Sequence, residues 1–294
     1  MDQNFAASQI DEMQRKSRLT ALFRRDSSEI EDLVASLLRY DLLRGNSITM
    51  RAFSIGCYSD SKHFEKHVKD LFLAIAKRYN ADLMDAEENH ELGWREQLMM
   101  LGIFARPELY ELSGNVVFTF PSGRVDLSAF GAPGTALPDT LSADIQSIDM
   151  SSIRRVMFIE NKTCYDEYTL KFMQSGELVF YQGGYVSQKK ARFIEKLQQY
   201  AVAGTTFYFW GDIDIGGFKM FFQLMERIPS IKPWKMGADE VTKYRNRGMA
   251  RTDAYIFKLK NMLKNQAFSI FHPAIEQLLS YKVTIEQEIM LETH

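Results

Sequence analysis

Three apolar runs constrain the fold of this chain more than any other feature. They are RVMFIEN at 155–161, ELVFYQGG at 177–184 and TTFYFWGDID at 205–214. Each is short, nearly continuously apolar and followed by a segment of helical pattern: DEYTLKFMQSG, then Ser187 to Val202, then Gly217 to Arg227. Buried strands alternating with helices predict an α/β architecture, a parallel sheet covered on both faces. KPWKM at 232–236 adds a candidate fourth strand, and KLKNMLKNQAF and TIEQEIMLE read as helical.

The region before these runs reads differently. Residues 1–48 form a helical segment in which Ser27-Ser28 starts a helix, with Glu31 three after Ser28 as in a capping box and Gly45 as its stop. ITMRAFSIG follows as an expected strand, then a helix from Ser61 to Arg78 started by Asp60 or Ser61, and a shorter one around Gly93–Phe104. NVVFTF and GRVDLSAF flank Pro121-Ser122-Gly123 as a β-hairpin. GAPGTALPD at 131–139, with two prolines and two glycines, reads as a linker. The expected division is therefore 1–48 helical, a smaller α+β region over 49–138, and a catalytic α/β domain over 139–294.

Composition excludes more than it assigns. At 294 residues, 46% hydrophobic and 25% charged, the chain has ample core and the make-up of a water-soluble protein. It has no apolar run of membrane-spanning length, and its N-terminus lacks the apolar centre of a signal peptide, so a cytoplasmic location is expected. Cys57 and Cys164 lack zinc-site spacing, and the five histidines form no HExxH pair. A net charge of −2 gives no overall nucleic-acid footprint, although Arg154-Arg155, Lys189-Lys190-x-Arg192 and the group Lys243, Arg245, Arg247 and Arg251 are locally basic.

The chemistry concentrates where the runs end. In a doubly wound sheet, ligands bind beyond the carboxyl ends of the strands. Glu160, Gly183-Gly184 and the pair Asp212 and Asp214 all fall at such ends. If the third strand continues through them, Asp212 and Asp214 point the same way, and Glu160 completes an oxygen set for a hard divalent cation. The pair is equally suited to capping the helix that follows. DIDIGG is not a calcium-binding helix-loop-helix motif, since Gly216 takes the third ligand position, and neither GxGxxG nor GxxxxGK[ST] is present. A phosphatase with an aspartyl nucleophile also carries DxD after a strand, but would leave Glu160 without a role.

An acidic residue after the first strand, glycine after the second and DxD after the third is the pattern of the Toprim domain. More closely, IENKTCYDEY, LVFYQGGYVSQKKARFIEKL and YFWGDIDIGGF resemble the C-terminal domain of the JetD family, the Toprim nuclease subunits of Wadjet plasmid-defence systems. That family is similar in turn to the A subunit of topoisomerase VI. RAFSIGCYSDSKHFE, with SDSK at 59–62, also resembles a JetD segment, so the likeness covers roughly 50–75 and 140–294.

The resemblance implies a Rossmann-like Toprim sheet and metal-dependent cleavage of double-stranded DNA, with Mg2+ or Mn2+ on Glu160, Asp212 and Asp214. Lys62, Lys162, Gly183, Gly184 and Arg192 are candidate phosphate contacts. Glu288, within TIEQE, resembles an acidic residue near the family's C-terminus. It further implies a homodimer, so that two sites address two strands, and docking to an SMC-like motor complex. Because none of the 13 tyrosines matches a covalent DNA-linking role, hydrolysis by water is the expected route. Two other classes compete: a scaffold with a degenerate site, and a metal-dependent phosphohydrolase of small phosphate esters.

Overall fold

The structure is a computed structural model, and it describes residues 26–80, 83, 93–105 and 108–293. The chain divides into two compact units, Met1–Pro107 and Glu108–His294. The first of the two expected N-terminal helices lies outside the described residues.

The first unit is mainly helical. Helix α1 (Ser27–Leu43) begins not at Ser28 but after Asp26, whose carboxylate accepts hydrogen bonds from the Ser28 amide at 2.9 Å and its hydroxyl at 3.0 Å. Strands β1 (Ile48–Thr49) and β2 (Ile103–Phe104) pair in parallel. ITMRAFSIG is a strand only in its first two residues, because Thr49 then caps α2 (Met50–Tyr58) by accepting from the Ala52 amide. Met50, Phe53 and Ser54 are buried at helical spacing, a periodicity that the run of β-formers obscures. The expected Ser61–Arg78 helix opens with a π-helical turn at Phe64–Val68 before α3 (Lys69–Tyr79). That wider turn keeps Phe64, Val68 and Phe72 inside, where the rings of Phe53, Phe64 and Phe72 meet edge to face. Helix α4 (Trp94–Met100) precedes β2.

The second unit is a mixed α/β structure. Its strands are β3 (Leu109–Gly114), β4 (Val117–Phe120), β5 (Gly123–Asp126), β6 (Thr135–Pro138), β7 (Ser147–Asp149), β8 (Arg155–Ile159), β9 (Glu177–Tyr181), β10 (Thr206–Trp210), β11 (Lys232–Pro233), β12 (Met249–Ala250) and β13 (Val283–Thr284). The helices are α5 (Asp139–Ser142), α6 (Lys162–Lys171), α7 (Gln188–Tyr200), α8 (Ile215–Arg227), α9 (Ala238–Tyr244), α10 (Asp253–Met262) and α11 (His272–Tyr281). Six strands form the main sheet in the order β11-β10-β8-β9-β3-β6. The four at one side are mutually parallel, and β3 and β6 extend the other side antiparallel.

The stretch 131–139 is therefore no linker, since Thr135–Pro138 pairs with β3 at the sheet edge, a position that tolerates proline. Gly134 turns the chain into that strand at φ +93°, where a Cβ would overlap the Leu112 carbonyl. The expected hairpin is present as β4 and β5, joined by β7 in a second antiparallel sheet.

Successive residues of β9 show both faces of the main sheet covered. Phe180 packs on Phe193 of α7, while Tyr181 meets Tyr165 of α6 on the opposite face. Because β9 lies to one side of β8 and β10 to the other, the chain reverses its winding between β8 and β10. The carboxyl ends of those two strands are thus the topological switch point, where such sheets open a crevice. No helix among the described residues is long and apolar enough to cross a membrane.

Phe193 ties the two sheets together, stacking on Tyr110 at 4.6 Å and Phe118 at 6.1 Å between ring centres. Phe193→Ala is expected to destabilise the unit by about 3–5 kcal/mol. Leu170→Ala, at a 57% exposed position, is expected to stay within about 0.5 kcal/mol. Denaturant unfolding of the two variants side by side checks the contrast.

Candidate metal centre

The first strand of the parallel set hands its last backbone donor to the third. The Glu160 amide bonds to the Trp210 carbonyl at 3.0 Å, continuing the ladder one step past β8. The Glu160 side chain turns back over β10, its Oε2 accepting from the Asp212 amide at 3.1 Å. Gly211 makes this possible. A Cβ there would overlap Oε2 of Glu160 and press on the Phe209 ring at 2.8 Å.

Beyond Trp210 the DID pair splits into two roles. Ile213 leaves β10 and forms an antiparallel bridge with Ile285, amide to carbonyl in both directions at 2.8 and 3.3 Å. Asp214 then becomes the N-cap of α8, its Oδ1 accepting from the Gly217 amide at 2.8 Å. Gly217 has no substitute, because a Cβ would overlap the Asp212 carbonyl. The expectation that one continuous strand presents both aspartates to one point is therefore corrected: Asp214 starts a helix.

The bridge brings in a segment expected to be helical. From Val283 to Ile285 the chain is extended, and a 3-10 helix (Gln287–Thr293) follows. Gln287, fully buried, locks the segment down. Its amide donates to Asp212 Oδ1 at 2.6 Å, and its side-chain nitrogen donates to the Trp210 carbonyl at 2.9 Å. Its side-chain oxygen accepts from the Asn161 amide at 2.9 Å. One glutamine thus joins the ends of β8 and β10 to the tail. Glu286 and Glu288, on either side of it, join Asp212 in a group in which one carboxylate oxygen from each residue lies within 4.8 Å of the other two. Asn161 holds Glu288 by a 2.5 Å bond to Oε1, while Oε2 is buried without a hydrogen-bond partner.

The electrostatics reflect this crowding. Burial, then the charges of Asp214, Glu286 and Glu288, push the Asp212 carboxyl up to about 8 against the Gln287 amide bond. Burial raises Asp214, partly offset by the Gly217 amide and Arg251. Burial followed by Asp214 and Glu288 raises Glu286. Burial drives the Cys164 thiol on α6 upward too, followed by the charges of Glu288, Asp212 and Glu160. Asp212, Glu286 and Glu288 offer hard oxygen donors, one of them a buried oxygen without a hydrogen-bond partner, and could hold a hard divalent cation.

The structure brings together Asp212 and Glu288, with Glu160 against the Asp212 backbone and Asp214 one helical cap away. The other candidates have local surroundings of their own. Lys162 pairs with Glu111 at 2.5 Å and Asp166 at 2.8 Å, over the rings of Tyr165 and Tyr181. The Gly183 amide bonds to the Glu160 carbonyl at 3.2 Å and so is not open to phosphate. Gly183 and Gly184 take left-handed φ of +60° and +81°, which turn the chain out of β9. Arg192 is exposed on α7, lining a cavity of about 370 Å3 with Lys189 and Lys196. Lys62 is exposed in the first unit, its amide bonded to Asp60. Glu286 escaped the sequence reading. Its sequence signal is its position two before Glu288 within TIEQE.

A stability prediction follows from the raised Asp212 carboxyl. In the unfolded chain it titrates near the ordinary 3.8, and in the folded chain at about 8. Between those values the folded state holds a proton that the unfolded state has released, so the contribution of Asp212 to stability declines as pH rises from about 4 to about 8. In chelator, Asp212→Asn is expected to stabilise the chain at pH 8 by at least about 1 kcal/mol, with little effect at pH 4. Thermal unfolding of both proteins across that range measures it.

The comparisons with known proteins agree on one family. The family model "Wadjet protein JetD, C-terminal" matches residues 121–293. The Wadjet protein JetD of Bacillus cereus (strain Q1) is 29% identical over 269 residues, covering 90% of this chain and 63% of that protein. The chain thus spans less than two thirds of the length of this curated relative. Since the family match covers more than half of the chain and contains the four parallel strands with Glu160, Asp212, Asp214, Glu286 and Glu288, the chain belongs to the JetD family.

Proposed function

We propose that this chain is a metal-dependent endonuclease of Toprim fold, cutting double-stranded DNA in a Wadjet-type defence against plasmids. The observation that carries the reading is the convergence of Asp212, Glu286 and Glu288 at the switch point, with Glu160 fastened beside them. Parallel strands in the order β11-β10-β8-β9, with an acidic residue after the first in sequence and DxD after the third, support the Toprim assignment. The resemblance placed the metal on Glu160, Asp212 and Asp214. The geometry supports Asp212, Glu286 and Glu288 as the residues that would hold Mg2+ or Mn2+.

An ion bound there would polarise a phosphoryl oxygen and supply hydroxide near neutral pH. The residues of the chain do the rest. Glu160, held by the Asp212 amide, stands where a carboxylate can accept a proton from an attacking water. Gln287 and Asn161 fix the orientations of Asp212 and Glu288, so the donor set is organised before substrate arrives. Asp214 sets the start of α8 and, through Arg251, the position of Glu286. The reading extends to a cytoplasmic homodimer that presents two sites to two strands, and to an SMC-like motor complex that delivers the DNA.

The test is incubation with supercoiled plasmid in Mn2+, in Mg2+ and in chelator. Metal-dependent linear product is expected, reduced at least about 100-fold in Asp212→Ala and Glu288→Gln, as for loss of a group acting in the transition state. Lys162→Ala, whose charge is already paired, is expected to retain activity within about 10-fold. Activity on a small chromogenic ester with plasmid intact would replace the reading with a phosphohydrolase. Intact plasmid together with no metal-induced rise in melting temperature would replace it with a scaffold.

A further inference from the structure

Arg251 brings a positive charge to this centre. It follows β12, and its amide bonds to the Lys282 carbonyl at 3.1 Å, beside the β12–β13 pair. The guanidinium is anchored at one end, Nε donating to Oγ1 of the fully buried Thr284 at 2.7 Å. Its Nη2 lies 3.5 Å from Glu286 Oε1 and 3.9 Å from Asp214 Oδ2. The Tyr255 ring, 5.0 Å away, covers the guanidinium.

The carboxylate oxygens divide accordingly. Asp214 has Oδ1 on the Gly217 amide and Oδ2 turned to Arg251. Glu286 is shared, with Oε1 toward Arg251 while its carboxylate also belongs to the group with Asp212 and Glu288. Glu288 keeps Oε2 unbonded. A guanidinium thus already faces both Asp214 and Glu286 beside the group formed by Asp212, Glu286 and Glu288. A divalent ion on the Asp214 side would have to displace a guanidinium tethered to Thr284. It would also sit close to a fixed positive charge, a repulsion that buried surroundings strengthen.

We infer that Arg251 fills a second cation position, so that the centre takes a single divalent ion, held by Asp212, Glu286 and Glu288. Arg251 is then a positioning residue: it neutralises Asp214 and holds Glu286 toward the ion, and its guanidinium replaces a second metal as the fixed positive charge of the site. This inference rests on the reading of Asp212, Glu286 and Glu288 as metal ligands, and the experiment separates the two.

The chelator-stripped full chain is titrated with Mn2+ alone, followed by equilibrium dialysis and electron paramagnetic resonance. The expected result is one manganese per chain with the six-line spectrum of an isolated ion. Arg251→Ala frees Asp214 and one side of Glu286, and is expected to take up a second manganese whose spin couples to the first. Arg251→Lys keeps a positive charge and is expected to stay at one. Two coupled ions in the unaltered chain overturn the inference while leaving the ligand reading intact, and this outcome does not depend on either variant folding. A folded Arg251→Ala protein that stays at one ion with unchanged affinity overturns it as well. No manganese bound by the unaltered chain removes the ligand reading itself.

Discussion

Like charges do not gather by themselves, and everything at this centre depends on the contact that overrides their repulsion. That contact is the docking of residues 285–287 onto the end of β10. Two backbone hydrogen bonds between Ile213 and Ile285, both fully buried, set the register. Gln287 then adds three more, to Asp212, Trp210 and Asn161. Buried hydrogen bonds contribute modestly when made and are expensive to leave unmade, so this set holds as a unit. Asp212 takes part in that set through its carboxylate, while Glu286 and Glu288 are carried into place on either side of Gln287.

The parallel sheet was legible because its signal is local. Each of β8, β9 and β10 is an unbroken apolar run bounded by polar residues, and burial on both faces permits little else. The runs alone place Glu160 and Asp212 at the carboxyl ends of strands, whereas the pairing of β8 with β10 that makes those ends a switch point depends on the spatial strand order. The failures share a different cause. At 131–139 the prolines and glycines signalled a linker, but Gly134 is there for close approach to the Leu112 carbonyl, a partner that no local pattern reveals. In ITMRAFSIG the β-branched residues outvoted a capping threonine. In TIEQE a helical neighbourhood concealed an extended segment, because its partner, Ile213, lies 72 positions earlier in the sequence.

The DID motif shows how one spacing serves two purposes. Both aspartates were expected to do the same work, as strand residues two apart would. The break after Trp210 assigns Asp212 to the cluster and Asp214 to the helix start, with Gly211 and Gly217 each required by a close approach that a Cβ would block. Glu286 and Glu288, also two apart, bracket the buried Gln287. The acidic residues of the centre thus come as two alternating pairs, one on each side of the Ile213–Ile285 bridge.

The tail that completes the cluster is also the last of its parts to be made. A growing chain that has produced β8 through β11 already contains Glu160, Asp212 and Asp214, but neither glutamate of the group. The Gln287 amide that bonds the Asp212 carboxylate is supplied only once residues 283–288 have been made and paired with Ile213. Order of translation thus makes the assembled group a property of the chain through residue 288, and not of the parallel sheet alone.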